Sequence, residues 1–148
     1  MSLIELIVAI VVISIALTGT MLVVDTTTRR SAEPMLERQA ISIAEAYLDE
    51  ALGKAYLDPQ GGTVCPSPEA SRDRFDNVCD FDDLDETGAR SPLGVAITGL
   101  DEYRIELDVD RGARLGALSG MAEVLRVDAT VTDPLGRIFL VSGYRTNP

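Results

Sequence analysis

Apolar positions fall into three regimes along this chain. From Met1 to Val24, 18 of 24 residues are apolar, with one charge, Glu5, and no proline. A helix of that length rises about 36 Å, enough to cross the hydrocarbon core of a bilayer. Residues 1–24 therefore read as a transmembrane helix. A cleaved secretory signal would want a basic stretch before the apolar run and a small-x-small site after it, and neither is visible. Residues 25–54 read as an amphipathic continuation. Pro34 disfavours helical backbone at Glu33, which predicts a bend or short break near 31–34. From Met35 the apolar residues Leu36, Ala40, Ile43, Ala44, Tyr47, Leu48, Ala51 and Leu52 recur at helical spacing and make one stripe, suited to covering a sheet. Gly53 and Asp58-Pro59 end it.

The third regime has period two. Tyr103-Arg104-Ile105-Glu106-Leu107-Asp108-Val109 alternates strictly, so Tyr103, Ile105, Leu107 and Val109 share a core face. A second strand runs from about Val124 to Thr132. Asp133-Pro134-Leu135-Gly136 supplies a tight turn, and Arg137 to Tyr144 returns as its hairpin partner. Arg111 to Gly120, rich in glycine, reads as a loop. The class is α+β: a long N-terminal helix, apolar then amphipathic, packed on a three- to four-stranded antiparallel sheet over 101–148.

Charge changes the picture of what lies between. The chain has 148 residues and a formal charge of −11, and residues 58–110 carry 14 Asp and Glu against 4 Arg. That stretch also concentrates Pro and Gly, so 55–100 reads as a long acidic surface excursion. There is no His and no Trp, and Lys54 is the single lysine. Histidine triads and zinc–histidine sites are thereby excluded. No nucleophile stands beside a base, so no catalytic residue is assigned, and an anchored enzyme or sensor is the weak reading. Nucleic acid is not an expected partner, because counterion release needs clustered Lys and Arg; a DNA-uptake role would require Arg111, Arg114 and Arg126 to gather on one face. Asp80, Asp82, Asp83, Asp85 and Glu86 raise the question of calcium. An EF-type loop from Asp80 would want an oxygen ligand at 84, Gly at 85 and Glu at its twelfth position, where this chain has Leu84, Asp85 and Ser91. A solvated acidic loop is the better reading, with no metal and no cofactor expected.

Glu5 is the most informative residue. A carboxylate on an apolar helix costs roughly 2.5–3.5 kcal/mol even on a lenient insertion scale, so such groups are usually paired and functional. Glu5 stands one turn from the end of its helix and could snorkel to the headgroups. A specific partner is also available: if the chain begins at Met1, the α-amine of one copy could neutralise Glu5 of another inside an apolar bundle.

Met1-Ser2-Leu3-Ile4-Glu5-Leu6-Ile7-Val8-Ala9-Ile10 resembles the mature N-terminus of type IV pilins and pseudopilins. The resemblance implies the pilin fold and a precursor with a short basic leader ending in Gly. A prepilin peptidase removes that leader, leaving a first residue, here Met1, that is usually N-methylated. It implies that Glu5 guides docking by pairing with the Met1 amine of a neighbour. It also implies an inner-membrane pool and assembly by a dedicated platform into a filament of pilin subunits. Two departures stand out: Met1 replaces the usual Phe, and Leu22 stands where many major pilins have a kinking Pro. Thr18-Gly19-Thr20 is the alternative source of a kink, or a place for close helix packing.

Cys65 and Cys79 are the only cysteines. With residues 25–148 beyond the inner membrane they meet an oxidising compartment, and closing a loop of this size contributes about 3 kcal/mol, which favours a Cys65–Cys79 disulfide. Free or metal-binding thiols are the alternative, without the His or second Cys pair that a four-ligand site needs. Ser31-Ala32-Glu33-Pro34-Met35, Gln39 to Glu45, Phe75 to Phe81 and Gly143-Tyr144-Arg145-Thr146 resemble the minor pilins of mannose-sensitive haemagglutinin type pili. That narrower resemblance implies a low-abundance subunit of a pilus for surface adhesion, ending as an extracellular fimbrium. A type II secretion pseudopilin is the near alternative.

Overall fold

The computed structural model describes residues 2–147, with side chains throughout except at Leu22 and 25–32. The chain forms two compact units, Met1–Leu36 and Glu37–Pro148. A single α-helix, α1, Leu3–Leu52, contributes to both.

In the first unit α1 spans the apolar regime. Leu3–Met21 has a mean hydropathy of 2.4, is long and apolar enough to cross a membrane, and buries nothing within the chain. Polar side chains there turn back onto the helix. Ser14 Oγ donates to the Ile10 carbonyl at 2.7 Å, Thr18 Oγ1 to Ser14 at 2.8 Å, and Thr20 Oγ1 to Leu17 at 2.9 Å. In a medium without water this back-bonding satisfies hydroxyls that would otherwise cost free energy. The expected break near 31–34 is absent, for α1 remains helical through Pro34. Proline deletes one donor and crowds the carbonyl four residues earlier, yet the hydrogen bonds on either side persist when the flanking helix is long. Helix also continues through Thr18-Gly19-Thr20.

The second unit packs the rest of α1 against a sheet. Ala40, Ile43, Ala44, Tyr47, Leu48 and Ala51 are buried, which is the predicted stripe. Helix α1 closes at Leu52, with Gly53 N–H reaching the Asp49 carbonyl at 2.9 Å. The strands are β1 (Leu84–Thr87), β2 (Arg104–Asp110), β3 (Arg114–Leu115), β4 (Leu118–Ser119), β5 (Val124–Thr132) and β6 (Ile138–Thr146). Four make an antiparallel sheet in the order β1-β2-β5-β6. Tyr103, Ile105, Leu107 and Val109 face the core as their alternation requires, joined by Leu125, Val127, Ala129 and Val131 of β5. The β5–β6 turn uses Asp133 as an Asx cap: its Oδ1 accepts from Leu135 N and Arg137 N, each at 2.9 Å, and Gly136 takes φ +78°.

Three expectations need correction. Residues 111–120 are not plain loop, for β3 and β4 pair there as a two-stranded hairpin. Residues 84–87, within the acidic run, form β1 and add the fourth strand through Asp85↔Glu106 and Glu86↔Ile105. Nor does the excursion 55–100 lie wholly on the surface. Its short 3₁₀ turn Val78–Phe81 is buried throughout, with Phe75 meeting Phe81 edge to face at 5.0 Å. The acidic residues hid this, because several of them cap backbone in place of facing water.

Arg72, whose side chain is 5% exposed, ties these pieces together. Its Nη2 lies 2.6 Å from Glu50 of α1, its Nη1 lies 3.0 Å from Glu86 of β1, and its guanidinium sits 4.2 Å from the Tyr47 ring centre. A buried ion cluster is no free source of stability, but removing its one cation strands two carboxylates. Arg72→Ala should cost about 3–5 kcal/mol, with much of that recovered when Glu50→Gln and Glu86→Gln are added; chemical unfolding of the detergent-solubilised chain checks both.

At Gly143 of β6 the helix approaches closely. An added Cβ would stand 2.6 Å from Leu52 Cδ1 and 3.3 Å from both Leu48 methyls. Gly143→Ala should therefore destabilise by about 1–2 kcal/mol and lower the midpoint of thermal unfolding, although alanine favours an ordinary strand over glycine.

Candidate functional site

The residues singled out by sequence fall at two places, the start of α1 and the acidic excursion. Glu5 occupies the third position of α1, and its Oε2 accepts from Ser2 N–H at 3.4 Å. Ser2-x-x-Glu5 is the spacing of a capping box, and here the Glu arm reaches back to the residue before the helix. That arm is a local role which the sequence reading did not anticipate. It leaves the second carboxylate oxygen available, on a stretch of helix, Leu3–Met21, whose apolar side chains are exposed. Glu5 is the sole charge in Leu3–Met21. Its expected partner atom, the Met1 amine, lies outside the described residues.

The cysteines are joined: Cys65 and Cys79 form a disulfide, with Cα atoms 5.3 Å apart. Cys79 is fully buried, and its N–H donates to Asn77 Oδ1 at 2.8 Å. Asn77 in turn donates from Nδ2 to the Tyr56 carbonyl at 3.0 Å, so the cross-link is seated on the segment that follows α1.

The acidic run resolves into separate duties. Asp80 accepts from Asp76 N and Asn77 N, each at 2.9 Å, as half of a capping box. Asp82 accepts from Val109 N at 3.0 Å and pairs with Arg111. Asp85 holds Arg104 in a fork at 3.0 and 2.7 Å, and that hydrogen bonding keeps the Asp85 carboxyl below its ordinary range. Glu86 accepts from Tyr47 Oη at 2.9 Å as well as from Arg72. Tyr47 is pushed up to about 12, first by burial, while the Arg90 N–H acts the other way and the Glu86 carboxylate adds to the rise. Among the five acids of this run, only Asp83 has neither a side-chain hydrogen bond nor an ion pair.

Asp83 meets the sheet's own acids on the face away from α1. Asp82, Asp83 and Asp108 bring carboxylate oxygens within 4.8 Å of one another, which makes them the described residues that could hold a cation. Asp83, Asp85, Glu106, Asp108 and Asp128 line a shallow concavity of about 360 Å³. Asp108 and Asp128 sit directly opposite across β2 and β5, an unfavourable like-charge pair. Burial and the surrounding Asp82, Asp128, Asp83 and Asp110 hold the Asp108 carboxyl above its usual range. The expected solvated acidic surface is thus present, but it spans the sheet face and is not confined to a loop. Arg111, Arg114 and Arg126 do not make it basic, since Arg111 and Arg126 are paired with Asp82 and Asp128.

No protein-family model, no curated protein and no solved structure matches this chain.

The raised Asp108 carboxyl has a definite sign in stability. A carboxyl that holds its proton more tightly when folded favours the folded state below the ordinary carboxylate range, and that advantage is lost as pH rises through its raised value. Asp108→Asn should therefore raise the midpoint of thermal unfolding at neutral pH. The gain should shrink to nothing as the solution is acidified past the ordinary carboxylate range, in unfolding curves recorded across that interval.

Proposed function

We propose that this chain is a structural subunit of a type IV pilus, most closely a minor pilin of the mannose-sensitive haemagglutinin type. In this reading it is held by one helix in the inner membrane and then built into an extracellular filament used in surface adhesion. The observation that carries the reading is the lone carboxylate, Glu5, near the start of a helix whose apolar side chains find no cover within the chain. A helix of this kind is stable in lipid or against other helices, and unstable in water.

The α+β architecture, with the amphipathic half of α1 packed on a four-stranded antiparallel sheet, supports the reading, as does the Cys65–Cys79 disulfide, which suits an oxidising compartment. Assembly would follow from the desolvation of Glu5. In the bilayer the carboxylate is costly, and the α-amine at residue 1 of a neighbouring copy offers the charge that offsets it. The energy gained on pairing is then specific for one axial position of the incoming helix, because the rest of the contact is apolar and would tolerate sliding. A prepilin peptidase and an assembly platform are the partners this implies. No catalytic or cofactor role is proposed, and none of the chemistry involves nucleic acid.

Glu5→Val tests the mechanism. The variant chain should insert and persist in the membrane at near-normal level, since the substitution makes the helix more apolar. Its share of sheared filaments, measured against the wild-type chain by immunoblot, should fall severalfold or more. Undiminished incorporation would remove Glu5 from the docking step.

A further inference from the structure

The second unit holds an apolar groove that neither the assembly reading nor the acidic sheet face uses. It runs along one side of α1, between that helix and the connection that joins β1 to β2, and its volume is about 420 Å³. Ile43, Ala46, Ala89, Pro92, Ile97 and Leu100 supply the apolar lining. Gln39, Ser42, Ala46 and Glu50 mark its floor at helical spacing, so it extends for about 16 Å at 1.5 Å per residue. Sites for small molecules have volumes of roughly 300–1,000 Å³, are mostly apolar and carry a few polar groups that fix orientation, and this groove meets all three conditions.

The wall facing the helix is fixed by its own backbone. Ser91 N–H donates to the Val95 carbonyl at 2.8 Å, Ile97 N–H to Ala89 at 2.9 Å and Ala89 N–H to Leu100 at 3.2 Å, which folds the connection back on itself. Two further bonds fasten it to α1: Arg90 N–H to Tyr47 Oη and Tyr103 Oη to Gln39 Oε1, each at 2.8 Å. A groove built this way is formed before anything enters it, so a ligand would not have to order it.

The polar capacity left over in the lining is mainly that of donors. Gln39 engages its carbonyl oxygen, and its amide N–H groups have no partner among the described residues. The Ser42 hydroxyl is likewise unengaged. Arg90 is exposed; it gives one N–H to the Gly94 carbonyl at 3.1 Å and meets no carboxylate among the described residues. Glu50, the one carboxylate of the lining, already holds Arg72 at 2.6 Å, and Tyr47 Oη is occupied on both sides by Glu86 and Arg90 N–H. In a chain of formal charge −11 this leaves a cation without an acid beside an apolar surface. A carboxylate on an apolar body complements both features.

We propose that this groove binds a small carboxylate with an aliphatic or aromatic body, the body lying along Ile43, Ala46 and Ile97 and the carboxylate meeting the Arg90 guanidinium. The site does not rest on the subunit reading, for every residue that lines it belongs to the second unit and none takes part in the Glu5 step.

The test uses the full chain in detergent and three photoreactive probes that share one benzophenone body and differ in the head: 4-benzoylbenzoate, its neutral amide and the matching benzylammonium. Insertion after irradiation is mapped by peptide mass spectrometry, with labelling of Leu3–Met21, which lies in the micelle, as the internal standard. The carboxylate should label peptides 39–50 and 89–100 saturably, about fivefold or more above the amide and the ammonium. Arg90→Gln, which keeps the backbone N–H to Tyr47, should reduce that labelling to the level of the amide. Ala46→Trp, at an exposed position of the lining, should abolish it, and both variants should unfold at the wild-type temperature. Equal labelling by the three heads, or undiminished labelling of a folded Arg90→Gln chain, would overturn the proposal. So would a preference for the ammonium, which would place the head at Glu50, whose Oε1 is buried without a partner. Groove labelling that appears only when the chain is diluted to monomer would assign the groove to a second copy and overturn it as well. Filament incorporation is read by none of these outcomes, so failure here leaves the subunit reading intact.

Discussion

A single buried cation, Arg72, is the constraint on which the second unit depends. It reaches Glu50 on α1 and Glu86 on β1, while the Tyr47 ring lies against its guanidinium and the Phe81 ring stands 5.8 Å away. Without that cation the residues between α1 and β1 would offer the core little besides Tyr56, Val78, Cys79 and the two Phe rings. The disulfide acts on the same segment from the other direction. Cys65 and Cys79 bracket Arg72, so closing that loop removes freedom the segment would otherwise lose on folding, about 3 kcal/mol in the chain-entropy account. A covalent closure and a buried ion cluster together order a stretch too poor in apolar residues to order itself. The cluster is not saturated, for Arg72 Nε and Glu50 Oε1 are buried without hydrogen-bond partners. Its net contribution is accordingly more one of registry than of stability.

The first unit is governed by the reverse condition. Over Leu3–Met21 the backbone satisfies itself as helix and the hydroxyls of Ser14, Thr18 and Thr20 fold back onto carbonyls, so the one charged group in that span is the Glu5 carboxylate. Its bond from Ser2 N–H, at 3.4 Å, is long for a charged acceptor and meets part of its need for a partner. A helix with such a surface is therefore informative about its surroundings in a way the second unit is not. The apolar side chains would suit a non-aqueous neighbour of any kind, and the Glu5 carboxylate one bearing a proton donor or a cation.

What could be read from sequence follows the strength of local periodicity. The α1 stripe from Ala40 to Ala51 and the alternation of Tyr103 to Val109 are long enough for burial to be fixed by spacing alone, and both are buried as spacing dictates. The Asp133-Pro134-Leu135-Gly136 turn was equally legible, because each residue type has its own conformational reason to be there. β1 was not. Leu84-Asp85-Glu86-Thr87 is short and half acidic, and it becomes a strand only because β2 offers partners and because Arg104 and Arg72 neutralise Asp85 and Glu86. The cap role of Asp80 was hidden for the same reason: an acid in a charged run looks solvated until the backbone donors it serves are in place. Pro34 misled in the other direction, since its local preference is real but weaker than the propagation of helix through either side. The Cys65–Cys79 pairing was accessible, there being no other cysteine to choose.

Charge placement gives the second unit a direction that its net charge conceals. A uniformly acidic surface would repel its copies in every orientation, and at physiological salt that repulsion decays over about 8 Å. This surface is not uniform. The surplus carboxylates Asp83 and Asp108 stand at the β1 side, whereas β6 carries Arg145 and no acid, and Asp133 and Arg137 of its turn pair with each other. Two copies meeting by their β1 sides would oppose like charges at short range. The Asp108–Asp128 pair, which costs the isolated fold something, then serves as the source of that asymmetry. The same carboxylates that weaken the sheet on its own would work against bringing two copies together by that side.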